Sequence, residues 1–149
     1  MRAVVQRVSD CSVVVEGVTK GRISNGLLTY LGIGRGDTDE DLDFLVQKVP
    51  SLRIFADADG KMNLSVKDAG GQILVISQFT LFGDVRRGRR PSYTEAADPA
   101  TAEEYYARFV GALRGAGCSV QSGVFAAMMR VTYTNEGPVT ILIDSRKRF

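Results

Sequence analysis

Three hydrogen-bonding side chains, Ser77, Gln78 and Thr80, stand together where the apolar run "GGQILVISQFTLF" gives out. Polar groups at the end of a buried strand either bond locally or face a cleft, because burying one unpaired costs about 1–3 kcal/mol. Local capping is one use for them. The other is chemical, with Thr80 as a nucleophile or consecutive main-chain N–H groups as an oxyanion hole. Histidine takes no part in either, because the chain contains none. A Ser-His-Asp triad, a Cys-His dyad and a His-ligated metal are therefore excluded.

Two further stretches carry chemical potential. In "TNEGPVTILID" the pair Gly137–Pro138 precedes a buried strand, and Pro is confined to strand starts, edges and bulges because it has no N–H to donate. A plain hairpin turn through "NEG" accounts for it; main-chain carbonyls held out for chemistry are the alternative. In "RRGRR", Arg86, Arg87, Arg89 and Arg90 surround Gly88. Such a run is either a solvated loop or, beside a cleft, a phosphate-binding patch. Arg146, Lys147 and Arg148 extend that patch or fray as a tail.

The elements that position these residues follow from composition and periodicity. With 149 residues, 44% of them hydrophobic and 24% charged, the chain is expected to fold as one domain spanning 1–149 around one sizeable core. No apolar stretch reaches bilayer-crossing length and "MRAVVQRVSD" lacks a secretory pattern, so an intracellular protein without membrane contact is expected. The two cysteines, Cys11 and Cys118, are far apart and without a C-x-x-C partner, which predicts buried free thiols. A net charge of +2 is too weak to announce a nucleic-acid binder.

"AVVQRV" and "CSVVVEG" read as two paired strands separated by "SD", and Asn25–Gly26 as a hairpin turn. Thr38, Asp39 to Asp41, then Leu42, Leu45, Val46 and Val49 predict an amphipathic helix ending near Pro50. "DADG" is a turn, but the carboxylates of a calcium-binding loop are missing. A central strand should end near Gln78. Asp98–Pro99 opens a second helix with Tyr105, Phe109, Val110 and Leu113 as its apolar stripe, stopped at Gly115 and Gly117. "FAAMMRVTYTNEGPVTILID" returns to strands, with Phe125 and Met129 as core or pocket wall. The order is that of a mixed α and β layered domain.

Taken together, "SQFTL" at 77–81 and "NEGPVT" at 135–140 resemble the D-aminoacyl-tRNA deacylase family of the Gly-cis-Pro type. The likeness extends through "QRV" at 6–8, "RIFADADGKMN" at 53–63, "RRGRRPSY" at 86–93 and "FAAMM" at 125–129. Met128, Cys11 and "LFGD" depart from the family's usual pattern but spare the core motifs.

The resemblance implies an α/β fold: a single-domain three-layer α/β/β arrangement, with a mixed sheet and two main helices. It implies a cytoplasmic homodimer that needs no cofactor or metal and hydrolyses the ester between a D-amino acid, or glycine, and the 3′ end of tRNA. On this likeness the catalytic positions are Ser77, Gln78, Phe79 and Thr80. Phe79 and Thr80 N–H groups would steady the oxyanion while the terminal ribose 2′-OH takes part, or Thr80 would attack directly. Gly137–Pro138, joined by a cis bond and braced by Arg7, would enter the partner subunit's site and read the α-carbon. Phe125 and Met129 would line the aminoacyl pocket, and Arg86, Arg87, Arg89 and Arg90 would meet tRNA. The rival readings are a non-catalytic nucleic-acid-binding module and a trans-Gly-Pro enzyme that edits L-alanyl-tRNA.

Overall fold

One long hairpin organises the sheet. In the computed structural model, which describes residues 1–149, β1 (Arg2–Val15) runs antiparallel to β2 (Val18–Gly32) along almost its whole length. The two short strands expected around "SD" are thus a single strand, continued because Asp10 adopts φ +48, a left-handed conformation that aspartate tolerates better than most residues. The turn lies at Glu16 and Gly17, both at positive φ as a two-residue hairpin requires.

Asn25–Gly26 is not a turn. It lies inside β2, with Gly26 opposite Val8. Glycine stands there because the neighbouring strand presses on it: a Cβ on Gly26 would lie 1.8 Å from the Gln72 carbonyl oxygen. That neighbour is β5 (Gln72–Ser77), parallel to β2 and ending one residue short of Gln78.

β6 (Val120–Ser122) pairs parallel to β5, and β7 (Arg130–Asp144) antiparallel to β1, giving the mixed order β6-β5-β2-β1-β7. β3 (Phe55–Ala56) and β4 (Met62–Leu64) form a small separate ribbon. α1 (Asp39–Ser51) starts at Thr38, whose N–H donates to Asp41 at 2.9 Å. α2 (Pro99–Gly115) starts at Asp98, which accepts the Thr101 N–H at 3.1 Å.

The two faces of the sheet make two apolar layers. Val5, Leu27, Leu31, Ile73 and Val75 pack against Leu42, Leu45 and Val49 of α1 and Phe109, Val110 and Leu113 of α2. Leu28, Leu74 and Ile76, on the opposite face, pack with Val8, Cys11, Val13 and Ile23 from the far half of the β1–β2 hairpin. Helices, sheet and folded-over hairpin are the expected α/β/β layers. Cys11 is a buried free thiol and Cys118 a half-buried one.

The α2 stripe differs by one residue from expectation. Tyr106, not Tyr105, is buried with Phe109, Val110 and Leu113, since 106, 109/110 and 113 lie one turn apart on a single face. Tyr105 sits at the α1–α2 seam, where its hydroxyl donates to Asp39 at 3.1 Å. No helix is long and apolar enough to cross a membrane.

Two predicted strand stretches are loop or bulge instead. Phe125–Met129 precedes β7, with Ala126 at φ +58. Within β7, Gln6 pairs with Thr140 and Val8 with Asn135, so a step of two residues on β1 meets a step of five on β7. Residues 136–139 therefore bulge out of the ladder rather than close a hairpin.

Candidate functional site

Where β5 ends, the chain turns into a 3₁₀ helix over Phe79–Phe82. The Gln78 N–H donates to Leu31 O at 2.8 Å, and the Leu81 N–H to Gln78 O at 3.2 Å. The two N–H groups between them, on Phe79 and Thr80, open the helical turn, a position with no acceptor inside the helix. Two consecutive N–H groups without an acceptor inside the helix are what an oxyanion hole requires.

This turn forms one wall of a cleft of about 740 Å³. Ser77, Gln78, Phe79 and Thr80 line it, together with Phe125 and Met129, so the structure brings these six sequence-predicted residues into one place. Ala96, Ala97, Pro99 and Ala102, at the entry to α2, also line the cleft. Small side chains there leave the room.

Tyr93 was not legible from sequence as a site residue. Its ring meets that of Phe79 edge-on, with centroids 4.9 Å apart, and the two form an exposed aromatic lip. Its only signal was its place directly after the arginine loop.

Met129 is seated by a glycine: a Cβ on Gly123 would lie 2.6 Å from its sulfur and 3.0 Å from Ile76 Cδ1. Beneath Phe125 lies Tyr106, ring centroids 6.0 Å apart, whose hydroxyl donates to Val75 O at 2.9 Å. Burial pushes the Tyr106 hydroxyl up to about 12, so it stays a donor and not a base.

Chemically, the cleft is notable for its lining of side chains without carboxylate, amine or thiol; Tyr93 alone among them can ionise. Gln78 Nε2 donates to Thr80 Oγ1. An amide nitrogen cannot take a proton from that hydroxyl, so the side chain beside Thr80 does not activate it as a nucleophile. Apart from the Tyr93 hydroxyl, the groups able to move a proton in this cleft are those that the substrate or water brings.

Gly137 and Pro138 do not line the cleft of their own chain. They are exposed on the β7 bulge, joined by the expected cis bond. Arg7 reaches the bulge, but its bonds correct the expectation: Nε donates to Glu136 O at 3.2 Å and Nη1 to Ile54 O at 2.6 Å, rather than to the Gly137 and Pro138 carbonyls. A Cβ on Gly137 would lie 2.8 Å from Arg7 Nη2, which places the guanidinium directly against the bulge. Ser9 Oγ donates to the Glu136 carboxylate at 2.6 Å, and the Val139 N–H to Asn135 Oδ1 at 3.2 Å.

The arginine run is a loop closed by paired bonds between Asp84 and Ser92, 2.8 and 2.9 Å long. Arg86 is engaged with Asp84 at 2.7 Å, and its hydrogen bonds hold that carboxyl well below the usual carboxylate range. Arg87, Arg89 and Arg90 are exposed and enter no ion pair. Arg146 does not extend this patch. It pairs with Asp41 at 3.2 Å and Asp37 at 3.4 Å. Burial opposes charge on Asp41, yet bonds from Arg146, Ser145 and the Thr38 N–H outweigh it and hold its carboxyl well below the usual range.

Residues 4–144 match the family model described as D-Tyr-tRNA(Tyr) deacylase. The sequence is 58% identical to a D-aminoacyl-tRNA deacylase of Thermotoga petrophila and 56% identical to one of Desulfitobacterium hafniense, over all of each chain. A solved structure described as c-Myc DNA Unwinding Element Binding Protein is similar with a TM-score of 0.91 and 39% identity, covering 97% of this chain and 98% of that one.

Proposed function

The chain belongs to the D-Tyr-tRNA(Tyr) deacylase family and is a D-aminoacyl-tRNA deacylase; we propose that it works through main chain at both ends of the reaction. The cleft takes the aminoacyl end of the tRNA, with the side chain against Phe125 and Met129. Phe79 and Thr80 N–H groups face the ester carbonyl and gain strength as its oxygen becomes an oxyanion. Ser77 and Gln78 orient the substrate.

One observation carries this reading. The cleft that holds the oxyanion turn offers hardly any ionisable side chain. An aminoacyl ester is already activated and brings its own neighbouring hydroxyl, the 2′-OH of the terminal ribose, which would handle the proton.

Chirality is read by the exposed 136–139 bulge. An editor of many D-amino acids cannot select by a side-chain pocket, because those side chains differ; it must sense the α-carbon. The Gly137 and Pro138 carbonyls hold the amino group, and their bulk fills the space an L side chain needs. Glycine, without a side chain, passes. Because the bulge lies outside its own cleft, it serves the cleft of a second copy, which makes the working unit a homodimer with shared sites.

The three unpaired arginines, Arg87, Arg89 and Arg90, lie in the same loop region as Tyr93 and meet the phosphates of the acceptor end. The enzyme acts in the cytoplasm, on aminoacyl-tRNA, as one domain over 1–149 without cofactor.

The name of the 39% identical structure favours a second reading, a nucleic-acid-binding module acting without turnover. One assay separates the two. D-Tyr-tRNA, L-Tyr-tRNA, L-Ala-tRNA and Gly-tRNA are incubated with the protein, and D-Tyr and glycyl esters are lost while both L esters survive. Equal rates for D- and L-Tyr-tRNA, or binding of uncharged tRNA with no hydrolysis of any ester, overturns the proposal.

A further inference from the structure

We propose that Arg2 is a positioning residue for the Phe79–Phe82 turn, its guanidinium holding the Leu81 carbonyl and covering the Phe82 ring while Asp144 fixes the guanidinium in place. The inference rests on the reading of that turn as the oxyanion hole.

The turn is short and has few bonds of its own, Leu81 N–H to Gln78 O at 3.2 Å and Gly83 N–H to Thr80 O at 2.9 Å. An oxyanion hole needs its donors held to within about 0.5 Å. The remaining definition comes from behind. Arg2 Nη1 donates to Leu81 O at 2.8 Å, Arg2 Nε donates to Asp144 Oδ2 at 3.0 Å, and Arg2 Cζ lies 4.5 Å from the centre of the Phe82 ring. Leu81 O is one of the carbonyls that the end of a helical turn leaves without an internal donor, and a charged, planar guanidinium is a strong substitute. The Asp144 side chain is 4% exposed; burial opposes its charge, but the bonds from Arg2 and the Arg146 N–H outweigh that and keep it ionised.

The other side of the turn is closed by main chain. A Cβ on Gly34 would lie 2.6 Å from two atoms of the Phe82 ring, and one on Gly32 would lie 2.9 Å from Gln78 O and 3.1 Å from Leu81 Cβ. The Phe82 ring is thus held between the bare backbone at Gly32 and Gly34, where β2 ends and just beyond it, and the Arg2 guanidinium. Leu81, Phe82, Arg2 and Asp144 are all absent from the cleft wall, so Arg2 acts on the reaction only through the turn.

The test compares Arg2→Met, Arg2→Lys and Asp144→Asn with the unaltered enzyme, using D-Tyr-tRNA kinetics and amide NMR shifts. Losing one oxyanion donor costs about 10²–10³ in kcat, so a displaced but present donor pair in Arg2→Met should cost about 10- to 100-fold, with KM changed less than about threefold. The Phe79 and Thr80 amide resonances move. Arg2→Lys, which keeps the charge but reaches only one acceptor, recovers part of kcat, and Asp144→Asn falls between Met and the native enzyme. Unmoved Phe79 and Thr80 amides, an unchanged kcat in any folded Arg2 variant, or a loss confined to KM overturns the inference. If the unaltered enzyme spares D-Tyr-tRNA, the deacylase mechanism fails, while the amide shifts still decide whether Arg2 sets the turn.

Discussion

Gly123 leaves open the space that the Met129 sulfur fills, since a Cβ there would lie only 2.6 Å from it. Ile76, at 3.0 Å from the same point, blocks retreat of that Cβ toward the sheet. Gly123→Ala therefore drives Met129 into the cleft. The cleft shrinks by about a methyl group or more, so if it takes the aminoacyl side chain, D-Tyr-tRNA should lose about 10-fold or more in kcat/KM while Gly-tRNA loses little. Parallel loss for both substrates rejects Met129 as the pocket wall.

The Gln78–Thr80 bond leaves the threonine hydroxyl without a base. Thr80→Ala should keep kcat within about 10-fold of the native value, whereas a 2′-deoxy terminal adenosine should lose about 100-fold or more. Single-turnover rates on both substrates decide it, and the reverse pattern establishes Thr80 as the nucleophile.

Gly137 lies at φ +123, and a Cβ there would press on Arg7 Nη2 at 2.8 Å and Val139 Cγ2 at 2.9 Å. Gly137→Ala should disable the bulge, and Gln78→Ala the cleft. If each site joins one bulge to the other copy's cleft, co-refolding equal amounts of the two variants yields half mixed dimers with one intact site each, or about a quarter of native activity. Activity equal to the mean of the parents removes the shared site.

Arg87, Arg89 and Arg90 stand unpaired while Arg86 is tied to Asp84. Replacing the three free arginines by serine should reduce the slope of log(kcat/KM) against log[salt] by about 2, and Arg86→Ser alone should leave it nearly unchanged. An unaltered slope in the triple variant would place the tRNA elsewhere.

Asp41 and Asp144 both titrate below the ordinary carboxylate value of 3.8 because hydrogen bonds from arginine and main chain overcome the opposing effect of burial. The unfolded chain then binds more protons in that range, so stability is full above pH 5 and falls as the pH drops through 3.8 toward the folded values. Thermal midpoints measured from pH 6 to pH 2.5 should decline by about 5 °C or more, and the decline should be shallower in Asp41→Asn. An equal decline in that variant assigns acid lability to other groups.

The cleft was legible where one residue's type stated its own environment. Ser77, Gln78 and Thr80 interrupt an apolar strand, and the paired motifs pointed to Phe125 and Met129 beside them. Tyr93, Ala96, Ala97 and Ala102 were not legible, because lining a cleft depends on where α2 crosses the sheet and leaves no mark on a tyrosine or an alanine. Gly26 shows the same limit: "NG" is a turn signal locally, but the glycine answers to Gln72 on a strand 46 positions away. The Tyr105 and Tyr106 exchange is smaller, a matter of helix phase. Arg146 belonged to a tail in sequence and to buried aspartates in space.

β1 lies between β2 and β7, and its first residue, Arg2, is fixed by Asp144, 142 positions later. Such a contact of high sequence separation forms only once β7 has docked on β1. Before β7 docks, Arg2 lacks Asp144, the residue that fixes its guanidinium against the Leu81 carbonyl. The docking of β7 thereby decides when the turn behind the cleft gains its backing, so the order of strand assembly reaches the cleft wall.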